Sequence, residues 1–431
     1  MEQIKLFMGK MSSIINDIGS TFNKRYNKDN DVKFNLKNIL YASALVLNST
    51  GIDSVMSDLE VDKVVYASKN ALIKRRNNDK TNIYFKNIND ELLDAIYDEN
   101  NSFIKNYSFR LDTKRSYYIE TDNPDKKLFI NNTKKRFVGC DGMQLNVNKN
   151  AINNDDVKCS KNKHYGVMLI SGFFDIINKI PISYYPTKSD EEDFNKKKLN
   201  ETKGFLQQID KLNSSDVAVF DRFYFSDMFQ KKLINKNIGY MFRMKNNSKL
   251  FKDMSYGKSK IIKLNSVNVQ LFKYKIKKER YNILTSIVED ISIGEIKALY
   301  WRRWKIETDN KKFKYDLLRR NIRSKKYNSV VTDIECIKFM SILSSIIEYI
   351  GKYKCLENKK INSANCIHLL YKKLLYLILY DNENYEEISR IIGIVYKKII
   401  PIIANRSYKR VRYSPSTKWN EYGNRHGNSK K

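Results

Sequence analysis

Apolar and polar positions follow two different rhythms along this chain. Up to about residue 95 the apolar positions recur at helical spacing. NLKNILYASALVLNST (35–50) reads as a helix that stops before Gly51. A second helix is expected over 52–60, and a short one over 67–78, capped by Ser68, with Lys69, Lys74, Arg75 and Arg76 on its polar side. Helix, turn and short basic helix suit a helix-turn-helix reading element, and equally a solvated basic helix in a bundle. Residues 96–133 are rich in Asn, Asp and Lys and read as a linker.

From residue 134 the rhythm changes to strands. KRFVGCDGMQLNV (135–147), HYGVMLISGFFDI (164–176) and KIPISYYPT (179–187) are short apolar runs separated by turn residues, as in an antiparallel meander. A charged helix follows from Asp190 to about Leu212. VAVFD (217–221) is a continuous apolar run, the form of a central strand covered on both faces. A helix over 226–233 and a strand at IGYMFRMK (238–245) complete the order strand-strand-strand-helix-strand-helix-strand. That is the order of an RNase H-like core, an analogy of fold that carries no function by itself.

Residues 246–290 alternate as β-rich, basic segments, and apolar helices are expected near 333–351, 361–381 and 384–403. The fold class read from sequence is therefore α/β. A helical, candidate DNA-end-binding domain (1–95) and a linker (96–133) precede the first part of an RNase H-like core (134–245). A β-rich insertion (246–290), the second part of the core (291–351), a C-terminal helical region (352–405) and a basic tail (406–431) follow. The tail includes Lys409, Arg410 and Arg412.

Charge narrows the partners. Among 431 residues, 80 Lys and Arg face 48 Asp and Glu, a formal charge of +32. Charge of this size has two ordinary causes, a polyanionic partner or a genome biased toward Lys and Asn codons, and under either the field draws phosphate backbones. No apolar run reaches the roughly 18–20 residues that span a bilayer, and no secretory signal follows Met1. Five scattered cysteines (Cys140, Cys159, Cys336, Cys355, Cys366) and three histidines (His164, His368, His426) show no zinc spacing. The expectation is an intracellular, reduced protein that resides with DNA and not in a membrane.

The densest chemistry lies in YWRRWKIETDNKKFK (300–314). Tyr300, Arg303, Glu307 and Lys314 are spaced Tyr-x2-Arg-x3-Glu-x6-Lys. At about 100° per residue they fall at roughly 0°, −60°, −20° and −40°, one narrow stripe of a helix. Leu299, Ile306 and Phe313 repeat every seven residues about a quarter-turn away, an apolar stripe to bury. Trp301 and Trp304 read as packing residues of the same helix.

Two aspartates complete a candidate set. Asp141 sits inside an apolar strand, where a carboxylate is costly unless paired, hydrogen-bonded or bound to a cation. Asp221 ends the apolar VAVFD run, at the carboxyl end of the expected central strand, where open α/β sheets place site residues. Each also has a plain reading, as a solvent-facing or turn-capping Asp. Asp141 and Asp221 are 80 residues apart and Glu307 lies 86 further on, so only folding can gather them. Three carboxylates can hold two Mg²⁺ ions about 3.5–4 Å apart. Oxygen-only donors suit Mg²⁺ or Mn²⁺.

These blocks resemble the DDE transposases of the insertion-sequence-four family. VGCDGMQLNV (138–147) is similar to that family's first-aspartate strand, VFDRFYFS (219–226) with IGYMFRMK to its second block, and 300–314 to its Tyr-Arg-Glu-Lys block, with NIRSKKYNSVVTDIE (321–335) following. The resemblance spans roughly 130–350. It implies an RNase H-like core with a β-rich insertion and metal-dependent cut-and-paste transposition: nicking at element ends, a DNA hairpin, its resolution, and strand transfer. It further implies Asp141, Asp221 and Glu307 as metal-binding catalytic residues. Arg303 and Lys314 would be phosphate contacts and Tyr300 a contact near the terminal base. Arg222, Arg243, Arg320 and Arg323 are further DNA-binding candidates. The implied partners are double-stranded DNA, as element ends and target, and a second copy of the chain in the synaptic complex. The insertion lacks the tryptophan that helps stabilise a flipped base in the best-known relative of that family, since all three tryptophans (Trp301, Trp304, Trp419) lie elsewhere; Phe272 and Tyr274 are the candidates to stack instead. Two other readings of the same residues stand beside this one: a catalytically silent, transposase-derived DNA-binding protein, and another RNase H-like endonuclease.

Overall fold

The structure, a computed structural model, describes residues 2–26, 35–49, 51–64, 68–97, 129–130, 133–134, 136–151, 165–188, 194–276, 278–288, 291–318, 322, 324–352 and 359–401. Most of the expected linker and the basic tail, with Trp419, lie outside them, as do Cys159, Cys355, His164, Arg320 and Arg323.

Helices α1 (Glu2–Tyr26), α2 (Leu36–Asn48), α3 (Ile52–Val61), α4 (Lys69–Arg76) and α5 (Asp79–Tyr97) open the chain. α2 and α4 start where the sequence supplies a cap: Asn35 accepts from Asn38 N–H, and Ser68 from Ala71 N–H. Two short strands follow, β1 (Phe129–Ile130) and β2 (Thr133–Lys134), paired antiparallel. The meander is β3 (Arg136–Asn148), β4 (Tyr165–Asp175) and β5 (Ile180–Lys188). Then come α6 (Phe194–Gln207), β6 (Asp216–Phe220), α7 (Asp227–Asn235) and β7 (Gly239–Met244). Strands β8 (Lys258–Leu264), β9 (Val267–Ile276) and β10 (Glu279–Thr285) precede α8 (Ile293–Arg302) and α9 (Trp304–Lys311). A π-helical turn over Lys312–Leu317 leads to α10 (Tyr327–Lys352) and β11 (Lys359–Ile361). The chain then forms α11 (Ser363–Leu369), a second π-turn (Leu370–Leu374), α12 (Leu375–Tyr380), α13 (Tyr385–Lys397) and β12 (Ile399–Pro401).

One mixed sheet carries the order β5-β4-β3-β6-β7-β10-β9-β8. β6 is parallel to both β3 and β7, and the last three strands run antiparallel. Three consecutive strands on one side of two parallel ones, with α6 and α7 as the crossovers, make this an RNase H-like core. The strands between residues 258 and 285 extend the same sheet from β7 outward. β6 is buried at every position, which explains its unbroken apolar run. On one face Ala218 and Phe220 meet Phe205 of α6 and Phe229 of α7; on the other Val217 and Val219 meet Leu299 and Ile306.

The chain divides into two units, residues 1–96, 145–168 and 312–431 in one, 97–144 and 169–311 in the other. In the first unit α2 is buried almost all round and packs against α10. Arg76 is not on an exposed basic face. It is 3% exposed, paired with buried Asp333 of α10, and its Nε donates to Ser43 Oγ. α10 begins at Tyr327, six residues before the expected start, because Thr332 and Asp333 serve α4 from its first turns. α13 ends at Lys397, and the expected helical residues 399–401 pair instead with β11. No helix among the described residues is long and apolar enough to cross a membrane.

Candidate active site

The site grows from strand register. β3 and β6 pair in parallel with Arg136 opposite Asp216 and Gly139 opposite Val219. Carried two residues further, that register sets Asp141 level with Asp221, on strands about 4.8 Å apart. Side chains alternate along a strand, so both aspartates continue the face of Phe137, Val217 and Val219. That face is the one covered by Leu299, Tyr300 and Ile306. Gly139 makes room there: a Cβ on it would lie 3.7 Å from Ile306 Cδ1 and 2.6 Å from Ile176 Cγ2.

The 300–314 segment is not one continuous α-helix. Ser292 and Glu295 form a capping box that starts α8. The helix then tightens at Arg303, where the Arg303 N–H donates to Tyr300 O and the Ile306 N–H to Arg303 O. The π-helical turn then widens the path at Lys314. The apolar stripe is buried as expected, Leu299 at 0%, Ile306 at 2% and Phe313 at 1% exposure. Trp301 and Trp304, expected to pack, are instead 47% and 42% exposed: the helix needs only one apolar stripe, and both indoles fall outside it.

Arg303 is the hub of the site. Its side chain is almost wholly buried, and one guanidinium nitrogen lies 3.9 Å from Asp221 Oδ2 and 3.9 Å from Glu307 Oε1. Tyr300 Oη donates to Asp221 Oδ1 at 3.1 Å. The guanidinium also stands 5.7 Å from the Tyr300 ring centroid and 5.2 Å from that of Trp304. Arg303 Nε is buried without a hydrogen-bond partner among the described residues. Burial works against its charge, but Tyr300, Asp221 and Asp141 outweigh it and leave Arg303 more firmly protonated than a free arginine. Burial likewise pushes the Tyr300 hydroxyl up.

Asp141 is half-buried, and its Oδ2 accepts from Asn310 Nδ2 at 3.1 Å. Burial pushes its carboxyl up to about 7. Glu201 and Glu307 add to the rise, while Arg303 and the Gly142 N–H oppose it. Glu201 and Asn310 were not singled out by sequence. Neither stands in an apolar strand or at a telling spacing; the one hint was the glycine after Asp141, which leaves space for a neighbour.

The other expected residues are dispersed. Lys314 is half-buried in the π-turn of the other unit. Arg222 is exposed beside the Phe223 ring, at 4.9 Å. Arg243 lies over the Tyr281 ring at 4.3 Å, 3.7 Å from Glu279 Oε2. Phe272 and Tyr274 cannot stack on a base from where they stand. They are 0% and 1% exposed in the sheet's core, because β9 is an inner strand with that side turned to α8.

Among the described residues, no three His, Cys, Asp or Glu side chains converge closely enough to hold a metal ion. The ground between Asp221 and Glu307 is taken by the Arg303 guanidinium. The donor chemistry nevertheless fits a hard divalent cation: Asp141, Asp221 and Glu307 offer only oxygen, and their charge already holds one cationic group.

Residues 191–343 match the family described as the transposase DDE domain. No curated protein matches the chain. Among solved structures the chain is similar to a cryo-EM structure of the piggyBac transposase synaptic complex with hairpin DNA. The two are 15% identical over 90% of this chain and 85% of that one, with a TM-score of 0.40.

Proposed function

We propose that this protein is a DDE transposase of the insertion-sequence-four type, cutting DNA strands at the ends of a mobile element and joining them to target DNA. The observation that carries the reading is the gathering of Asp221, Glu307 and Tyr300 on the buried Arg303, beside Asp141, within the unit that holds most of the matched DDE stretch.

In this reading Asp141, Asp221 and Glu307 hold Mg²⁺, or Mn²⁺ in its place. When bound, such ions lower the pKa of an attacking water or 3′-hydroxyl and take up charge on the leaving oxygen. The chain's own residues bind and orient. Arg303, with an unsatisfied Nε, offers a phosphate a planar, permanently charged donor. Lys314 is a further candidate for a DNA phosphate, and Tyr300 keeps Asp221 oriented through its hydroxyl. Asn310 does the same for Asp141. Exposed Arg222 and the formal charge of +32 draw the duplex in, with Arg243, Arg320 and Arg323 as further contacts. The partners are then double-stranded element ends and target DNA, with a second copy of the chain in the synaptic complex, inside the cell where the DNA is. The hairpin step has no stacking residue at Phe272 or Tyr274.

A catalytically silent DNA-binding protein is the second reading, favoured by the guanidinium standing where a cation would be needed. One experiment separates them: incubate the full chain with Mg²⁺ or Mn²⁺ and duplexes carrying the DNA that flanks its gene, comparing wild type with Glu307→Gln. Cleavage by wild type alone, leaving 3′-hydroxyl ends at the junction, supports the transposase. Binding without cleavage by either protein moves the assignment to the silent form.

A further inference from the structure

Positive charge is concentrated in the strands that extend the sheet beyond β7. From Lys245 to Arg280 the sequence holds eleven Lys and Arg against two acids, Asp253 and Glu279, where the whole chain has 80 against 48. A codon bias acting on the whole chain does not concentrate cations in one stretch.

Strand register then sets like charges against each other. Arg280 of β10 faces Lys275 of β9, and two residues further into the sheet Lys273 faces Lys258 of β8. Directly opposed residues have Cβ atoms about 4.5–5.5 Å apart, and like charges so placed repel. Lys273 is relieved of this, since it is half-buried and its Nζ donates to Phe251 O at 2.8 Å and Met254 O at 2.6 Å. Arg280 and Lys275 are both exposed, and neither forms an ion pair with an acid among the described residues. Glu279, next to Arg280 in the chain, is turned to Arg243 at 3.7 Å and to the Tyr281 hydroxyl at 2.9 Å. Lys275 Nζ stands instead over the Tyr256 ring, 4.1 Å from its centroid, and that ring is 39% exposed. Tyr256 is fixed from both sides. Phe251 of the same loop is buried, and Gly257, at a φ of +82°, turns the chain into β8 while its N–H donates to Lys273 O at 2.7 Å.

Arg280 and Lys275 share a face with Leu284 and Leu271, whereas Asp141 and Asp221 continue the face of Val217 and Val219. β10 runs antiparallel to β7, so it begins at the end of the sheet where β6 delivers Asp221. The exposed cations thus lie at the catalytic end of the sheet but on its other side. Lys275 is three strands from β6, about 14 Å, a span of about four base pairs. A single ring with a lysine already on it offers no platform for a run of unpaired bases, so the ligand that fits is a phosphate backbone.

We propose that Arg280 and Lys275, with Tyr256 supporting the lysine, form a second DNA-binding surface that holds the backbone of a duplex away from the cleaved strand. The choice of partner rests on the transposase reading, and the test keeps the two apart. Binding of the full chain in EDTA is followed by fluorescence anisotropy over a range of salt, with a duplex carrying the DNA that flanks the gene and with one of its single strands. Wild type is compared with Lys275→Gln/Arg280→Gln and with Lys231→Gln/Lys263→Gln. The second pair removes the same charge from exposed positions on α7 and near the far end of β8. For the duplex, the slope of log affinity against log salt is expected to fall by about two in the first pair and to hold in the second. The first pair should also melt no lower than wild type, because the substitutions remove two opposed like charges.

An unchanged slope in the first pair, or an equal fall in the second, overturns the surface and leaves the proposed function standing. A fall confined to the single strand overturns the duplex assignment. No binding of either DNA by wild type at low salt overturns both the surface and the proposed function.

Discussion

Replacing Asp141 by Asn is expected to stabilise the cation-free protein at neutral pH, and the size follows from the site's own electrostatics. Burial, reinforced by Glu201 and Glu307 and only partly offset by Arg303 and the Gly142 N–H, holds the Asp141 carboxyl at about 7 against an ordinary 3.8. The folded state thus binds this proton more tightly than the unfolded chain does. Below about pH 4 both states are protonated and the native carboxyl costs nothing. As pH rises toward 7 the unfolded chain ionises freely while the folded one resists, so stability is progressively lost, and it levels off above 7. About three pKa units at 1.36 kcal/mol each set a ceiling of about 4 kcal/mol; at a half-buried site about 2–4 kcal/mol is expected. Asn carries no charge, and its carbonyl oxygen still accepts from Asn310. The assay is urea unfolding in EDTA, of wild type and Asp141→Asn, near pH 4 and near pH 8. Comparing the two proteins at each pH cancels the titrating groups that do not interact with Asp141. The mutant's advantage should be larger near pH 8 by the stated amount. An advantage equal at both pH values refutes the account of Asp141 as a carboxyl held against its preference.

Arg136→Ala should destabilise by about 3–5 kcal/mol, read from denaturant midpoints, because it strips a bidentate partner at 2.7 and 2.8 Å from fully buried Asp216. Gly204→Ala should cost about 1–3 kcal/mol by overpacking, since its Cβ would lie 2.8 Å from both Ser171 Cβ and Thr187 Cγ2; unchanged stability would show that β4 and α6 can part there. Joint replacement of Trp301 and Trp304 by Ala should move stability by no more than about 0.5 kcal/mol each, as both are exposed, and calorimetry checks it. Lys314→Ala should lower the slope of log affinity for duplex DNA against log salt by about one, measured by fluorescence anisotropy; an unchanged slope removes Lys314 from the phosphate contacts.

The elements of this fold were legible wherever a residue's local role and its buried role coincide. Ser68 caps a helix in any context where one follows it, and β6 reads as a central strand because Val217 to Phe220, covered on both faces, are all apolar. The three carboxylates stood out for a related reason, being ionisable groups at spacings or in apolar runs that packing alone does not call for. Local pattern misled where only one face of an element is buried. Phe272 and Tyr274 alternate with lysines and so look available, yet α8 covers their side of β9. The indoles of Trp301 and Trp304 look like core and stand in solvent, because the stripe of Leu299 and Ile306 already fills the contact.

What the sequence determined by itself is the set of chemical groups and the elements that bear them. Spacing along a helix or strand depends on bonds a few residues long, and those are written in the chain. What only the tertiary structure decided is which groups share space. The register of β3 on β6 brings Asp141 level with Asp221 across 80 residues. The tightened turn at Arg303 sets one guanidinium between two carboxylates, and the bare Cα of Gly142 admits Glu201 from a helix some sixty residues away. Such encounters depend on the packing of whole sheets and helices against one another, and no local pattern encodes them.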